Sequence, residues 1–388
     1  MPYIVYALFI IFGGLTLYNN LVYKFNVEGG ITGYISIMCL LLIEGICVFY
    51  SLRYIKQIFS NKINAVILLR AIYAVLVTLL TSEDLFLDIR SVLWWPSVYF
   101  VFYSIARYDY SEKLINILIK YIIPLLYILT VIIYFYFRRF SLETNVGAFE
   151  ADNSVFFVLA LLPFVFLLSK RYKYIFLILA IAAAFYSFKR SAALYTAIII
   201  VISLYFDFWY HKKISLFKTV IIPIILVIGL VYGLTYLNNS TDGFLLSRFE
   251  NISDDGGSGR IDIWKDTLNK FKASGIELQI AGHGFNAVIK ASPFSAHNDF
   301  LEMLYDFGII GLSLYILFII LMVFCILKYK NSDDRYYQAG IVMLTIFFIM
   351  SMVSHLWLYP SFYGYLVSFL GVVNGRVQRR KFDIHYDK

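Results

Sequence analysis

Residues 306–330, DFGIIGLSLYILFIILMVFCILKYK, decide the fold. No residue between Asp306 and Lys328 is charged, and about 20 apolar residues in helical form are what a hydrocarbon core of about 30 Å requires. The run ends on Lys328 and Lys330, the kind of basic flank that stays cytoplasmic. Working outward, comparable runs recur near residues 3–20, 31–52, 63–81, 86–106, 114–137, 153–169, 172–187, 191–209, 215–237, 336–357 and 361–375. The runs lack the period-2 alternation of barrel strands, and lipid offers no partner for open backbone groups. The chain is therefore predicted to be an all-α polytopic membrane protein with about 12 transmembrane helices. Only 15% of the 388 residues are charged and 61% are apolar, with a mean hydropathy of +0.76. A soluble domain does not fit between the spans.

Basic residues alternate from loop to loop, and short basic loops stay inside. One set holds Arg53, Lys56 and Lys62; Arg107 and Lys113; Lys170, Arg171 and Lys173; Lys212, Lys213 and Lys218; Lys328, Lys330 and Arg335; and the tail Arg376, Arg379, Arg380 and Lys381. That set is expected to be cytoplasmic, with both termini. The other set faces outward and includes the long loop 238–296. Nine spans occupy residues 1–237. An outward segment with short amphipathic helices fills 238–305, and three spans with a basic tail complete 306–388. Met1 and Pro2 lead directly into apolar residues, so the first span is expected to be retained. The net charge of +8 is a topology signal and carries no nucleic-acid reading. Cys39, Cys47 and Cys325 all fall inside spans and read as packing residues.

Ionisable groups inside a membrane are costly and usually paired or functional. Glu44 and Arg70 lie at matching depth on neighbouring spans and are expected to pair. Arg90 and His355, near the outer ends of their spans, read equally as interfacial residues and as lining of a pocket beneath the long loop. Six basic residues break the inside rule: Arg138, Arg139, Lys189, Arg190, Arg248 and Arg260. They suggest an anionic ligand on the outer side.

Within the long loop, Asp254–Gly259 is a flexible turn, and Arg260–Lys272 places Ile261, Trp264, Leu268 and Phe271 at helical spacing. An amphipathic helix lying on the membrane or over a cavity follows. Its first residue is Arg260, so a guanidinium and a helix N-terminus can address one anion. After the turn Ala281-Gly-His-Gly-Phe-Asn286 comes Ser295-Ala-His-Asn-Asp-Phe-Leu-Glu-Met-Leu-Tyr-Asp-Phe-Gly-Ile-Ile-Gly311. Here Ser295 reads as an N-cap, Asp299 and Glu302 suit a first turn, and Gly308 and Gly311 frame a bend into the tenth span. His297 then projects from a helix start, where physics alone reads it as a cap or as a catalyst.

The segment His297-Asn298, nine residues, Gly308, two residues, Gly311 resembles the motif of bacterial O-antigen ligases and related polysaccharide polymerases. Ser187-Phe188-Lys189-Arg190-Ser191 resembles the outward serine-arginine turn of that family, and Arg260-Ile-Asp-Ile-Trp264 with Gly282 and Gly284 the stretch before its histidine. The resemblance is anchored over about residues 185–315. It implies a GT-C-like glycosyltransferase architecture in a bacterial plasma membrane. It also implies transfer of a glycan from an undecaprenyl pyrophosphate carrier to an acceptor hydroxyl on the outer face. His297 would be the general base, because a neutral imidazole with a reference pKa near 6.5 can take a hydroxyl proton. Arg190, Arg260 and Lys189 would hold the pyrophosphate, with Asn298, Arg90, His355, Gly308 and Gly311 in support. No cofactor and no metal is expected, since no carboxylate or cysteine cluster has ligand spacing. The absence of a paired-carboxylate signature points to a single, inverting displacement. The partners implied are the lipid-linked donor, a glycan acceptor, membrane lipid and a chain-length regulator. Three readings stand: a repeat-unit polymerase, favoured; a ligase acting on lipid A-core; and a lipid-linked oligosaccharide transporter.

Overall fold

The computed structural model describes residues 61–108, 112–143, 152–210, 259–292, 294–331, 333–354, 356 and 360–386, with isolated positions between 7 and 52 and between 232 and 239. The spans expected at 3–20, 31–52 and 215–237 fall largely outside these residues, as do His355 and Arg248. Among the described residues all regular structure is helical. Six helices among the described residues are long and apolar enough to cross a membrane: Lys62–Thr81, Leu85–Arg107, Ile115–Arg139, Arg190–Asp207, Asp299–Leu327 and Asp334–Val353.

In chain order the elements are α1 (Lys62–Thr81) and α2 (Leu85–Tyr108), then α3 (Glu112–Ile117) and α4 (Ile123–Glu143), joined by a π-helical turn at Leu118–Ile122. Pro124 has no N–H to continue the α-helical ladder, which accounts for the widened turn just before it. The span expected at 153–169 is two short helices, α5 (Val155–Ala160) and α6 (Leu162–Val165). Pro163 is the cause, since it cannot donate to the carbonyl four residues back. Residues 155–168 are buried throughout, so the break is enclosed by protein, where a membrane tolerates it. Next come α7 (Lys170–Tyr186) and α8 (Arg190–Leu204), which runs into a second π-helical turn at Tyr205–Tyr210.

The loop contributes α9 (Arg260–Ala273), α10 (Ile276–Ala281) and α11 (Ala287–Ala291). The bundle closes with α12 (Asp299–Leu327), α13 (Asp334–Val353) and α14 (Pro360–Tyr386). The tail residues Arg376 and Arg379 belong to α14, which continues without a break past the apolar stretch.

α2 and α14 form the centre. Gly371 and Gly375, four apart, let α14 approach the backbone of α2 at Tyr99 and Tyr103, where any side chain would collide. Asn374 between them donates to Tyr99 and Asn64 and accepts from Asn61 at 2.8 Å, stitching α1, α2 and α14 together through groups that would otherwise be buried unpaired. Tyr127 and Tyr134 on α4 donate to the Phe176 and Ala183 carbonyls of α7.

Contacts sort the helix ends into two layers. Asn61 meets Asn374, and Tyr210 donates to the Lys330 carbonyl, at one end. Arg138 donates to the Tyr186 carbonyl, and Lys290 meets Asp88, at the other.

The loop is locked to α12 at a pair of glycines. Gly308 (φ 64°, ψ −169°) bends α12, while Gly311 remains helical and lies against Phe307. Gly282 (φ 93°) faces that bend, and a Cβ there would strike the Asp306 carbonyl and Phe307 Cα. Gly282→Ala is therefore expected to cost more than the 1–3 kcal/mol or so of a strained backbone position alone. A lower thermal midpoint of the purified protein in detergent is the measurement, and an unchanged midpoint would refute the interlock.

Candidate functional site

Three segments from distant parts of the chain reach the end of the bundle that carries Asp88 and Lys290. The first is the turn between α7 and α8. Phe188 adopts a left-handed conformation (φ 52°), and the turn is bound on all sides. The Ser187 carbonyl accepts from the Asp152 amide at 2.9 Å, and Ser187 Oγ donates to Ala184 and accepts from Lys189 N. Arg138, only 2% exposed, lies below with its guanidinium 4.8 Å from the Phe188 ring. Sequence reading placed Arg138 among residues facing an anion; the structure uses it beneath the turn that presents Lys189 and Arg190. Both of these are half-buried.

The second segment is α9, whose first helical residue is Arg260, preceded by Gly259 at φ 74°. Trp264 lies one turn on, and its indole N–H donates to the Ala296 carbonyl at 2.8 Å. That bond ties the helix bearing Arg260 to the residue before His297. The other end of α9 is clamped by His283, which stacks on the Tyr305 ring at 4.2 Å and contacts Ser274 Oγ and the Tyr305 carbonyl. With both ring nitrogens engaged, His283 has a structural task.

The third segment is the turn into α12. Asn298, not Ser295, caps the helix, accepting from Phe300 N and Leu301 N at 3.0 and 3.2 Å. The residue before it, His297, is left-handed (φ 50°). Of three non-glycine residues in this conformation among the described residues, Phe188 and His297 stand at the two turns just described and Asn286 at a third. Such positions persist only where surrounding contacts fix them.

Three buried acids, Asp299, Glu302 and Asp306, lie on the first two turns of α12. Asp299 accepts from the Leu356 amide at 3.0 Å and from Ser351 Oγ at 2.9 Å. The Glu302 carboxylate lies against the amides of Ala296 and His297. Asp306 accepts from Asn286 N and Val288 N at 2.9 and 3.1 Å. Each acid thus holds a different segment of the chain, and Glu302 holds the one that carries His297. Sequence reading took Asp299 and Glu302 as first-turn residues and gave Asp306 no role. Their spacing on one helix face was visible, but their backbone partners were not.

The electrostatics follow from this assembly. Burial first, then the positive charges of Arg260 and Lys189, pull the His297 imidazole from its usual 6.5 down to about 4. His297 is therefore neutral at neutral pH, with two cations close enough to act on it. Arg190 is the next residue after Lys189, at the N-terminus of α8.

Arg90 lies 4.0 Å from Glu44. The Glu44–Arg70 pairing expected from depth is not the arrangement found. Arg70 sits between the rings of Trp95 and Tyr315, 4.7 Å from each, and donates to Met303 Sδ at 3.2 Å. Among the described residues no three His, Cys, Asp or Glu side chains converge as metal ligands.

No curated protein matches the chain. Residues 175–316, which run from α7 through the bend of α12 and carry all three segments, match the family model described as O-Antigen ligase.

Proposed function

We propose that the protein is a glycosyltransferase that extends a lipid-linked polysaccharide, using an undecaprenyl-pyrophosphate-linked glycan as donor and a sugar hydroxyl of a second lipid-linked glycan as acceptor. The observation that carries this reading is a neutral, half-buried His297 in the field of Arg260 and Lys189. A base and an anion-binding group are thereby held side by side.

In the proposed step the acceptor oxygen forms a bond to the anomeric carbon as the bond from that carbon to the pyrophosphate oxygen breaks. The hydroxyl proton passes to the His297 imidazole. Undecaprenyl pyrophosphate leaves with the bonding electrons, its charge met by Arg260, Arg190 and Lys189 through charge-assisted hydrogen bonds. A single displacement inverts the anomeric centre, and linkage analysis showing retention would refute it. The site lies on the outer face of a bacterial plasma membrane with both termini inside. The gathering of Lys170, Lys330 and Arg376 toward the opposite end of the bundle supports this orientation.

A ligase is the second reading, favoured by the description of the matching family model. The two part in a strain lacking the protein. Single repeat units joined to the final acceptor mark a lost polymerase. Full-length chains stranded on the lipid carrier mark a lost ligase, and unpolymerised units held on the cytoplasmic side would instead mark a transporter.

A further inference from the structure

α10 is a short helix with no buried residue. Ile276, Leu278 and Ile280 are 67%, 40% and 43% exposed, and aliphatic side chains left in water forgo the gain that burial gives. The polar residue between the last two turns away: Gln279 donates its amide to the carbonyls of Lys272 and Ser274.

The height of α10 is fixed by its neighbours. The Ile280 carbonyl abuts Gly308 at the bend, and the Ala281 carbonyl accepts from Tyr73 Oη at 2.8 Å. Beyond the bend, residues 309–327 span about 28 Å at about 1.5 Å per residue, close to the hydrocarbon thickness of about 30 Å. Gly308, and with it the end of α10, therefore stands at the edge of the hydrocarbon layer. The adjoining surface of α12 is also apolar and open, with Ile309 and Ile310 49% and 41% exposed.

We infer that α10 is a membrane-seated anchor, its aliphatic side chains continuing the lipid-facing surface of α12 into the upper acyl chains of the bilayer. Such a seat sets the height of the whole loop. α9 is joined to α10 through Ser274 and Gly275, so the anchor holds the Arg260 helix at the level of the lipid headgroups whatever chemistry the site performs.

The test places nitroxide labels at Ile276→Cys, Leu278→Cys and Ile280→Cys, each in a full-length chain with Cys39, Cys47 and Cys325 replaced by alanine and reconstituted in phospholipid nanodiscs. Collision with oxygen, which concentrates in lipid, is compared with collision with a water-soluble nickel chelate. A label at exposed Lys265→Cys on α9 is the aqueous reference. The inference expects an oxygen-to-nickel ratio several-fold above that reference at 276 and at one or both of the other positions. Ratios equal to the reference would put α10 in water and overturn it. Labels shielded from both reagents would overturn it as well, by showing that a second copy or another protein covers the helix.

Discussion

Replacing His297 with alanine is expected to lower the rate of glycan transfer by about 10²- to 10⁴-fold, the range supplied by a positioned general base. That equals roughly 2.7–5.4 kcal/mol of lost transition-state stabilisation. The loss should appear without loss of protein. The turn that carries His297 is held by its backbone and by others' side chains: Trp264 bonds the Ala296 carbonyl, Asn298 caps α12, and the Glu302 carboxylate faces the amides. Removing the imidazole leaves that scaffold in place. His283→Ala is the contrasting variant, because His283 stacks on Tyr305 and spans two elements; it should lower thermal stability more than the rate per folded molecule. Transfer assayed with a lipid-linked repeat unit in detergent reads both variants. His297→Ala within about tenfold of the unaltered protein would remove the residue from the chemistry.

How far the sequence reaches can be judged from individual residues. The uncharged run after Asp306 is enough to specify the α12 span, and the bend at Gly308 was expected from the two glycines, although only Gly308 leaves the helix. The spacing from His297 to Gly311 pointed to the same family that residues 175–316 match. The span around Pro163 was read as continuous, because hydropathy averages over a local break. Depth arguments failed for Glu44 and Arg70 because rise along a helix fixes height but not azimuth. Arg70 turns toward two aromatic rings and Glu44 toward Arg90. The acids of α12 show the same limit in another form: a helical face can be read from one segment, whereas the amides it will meet come from residues 286–288, 296–297 and 356.

Arg260→Gln should cost about 10²- to 10³-fold in rate, the loss typical of removing one donor aimed at developing negative charge, and it should also move a pH limb. In the folded protein His297 is drawn to about 4 by burial and then by Arg260 and Lys189. The base is active when unprotonated, so activity of the free enzyme falls as pH drops through that value. Removing the Arg260 charge raises the imidazole pKa, and the acid limb of kcat/KM shifts to higher pH. It remains below 6.5, because burial, the largest cause, is unchanged. Lys189→Met, which removes the smaller of the two charge effects, should shift the limb less. Stability follows the same sign. Between pH 6.5 and about 4 the unfolded chain binds the proton that folded His297 refuses, so the folded state loses stability as pH falls through that window. The window narrows in either variant. Bound pyrophosphate offsets both cations, so the limb of kcat in the unaltered protein should lie above that of kcat/KM. Arg260→Lys separates field from geometry: it keeps the charge and with it the low limb, but not the planar fork that grips two oxygens, so its rate should stay depressed. A rate loss in Arg260→Gln with no movement of the limb would place Arg260 away from the base. A moved limb with an unchanged rate would leave Arg260 beside His297 but take the pyrophosphate from its grasp.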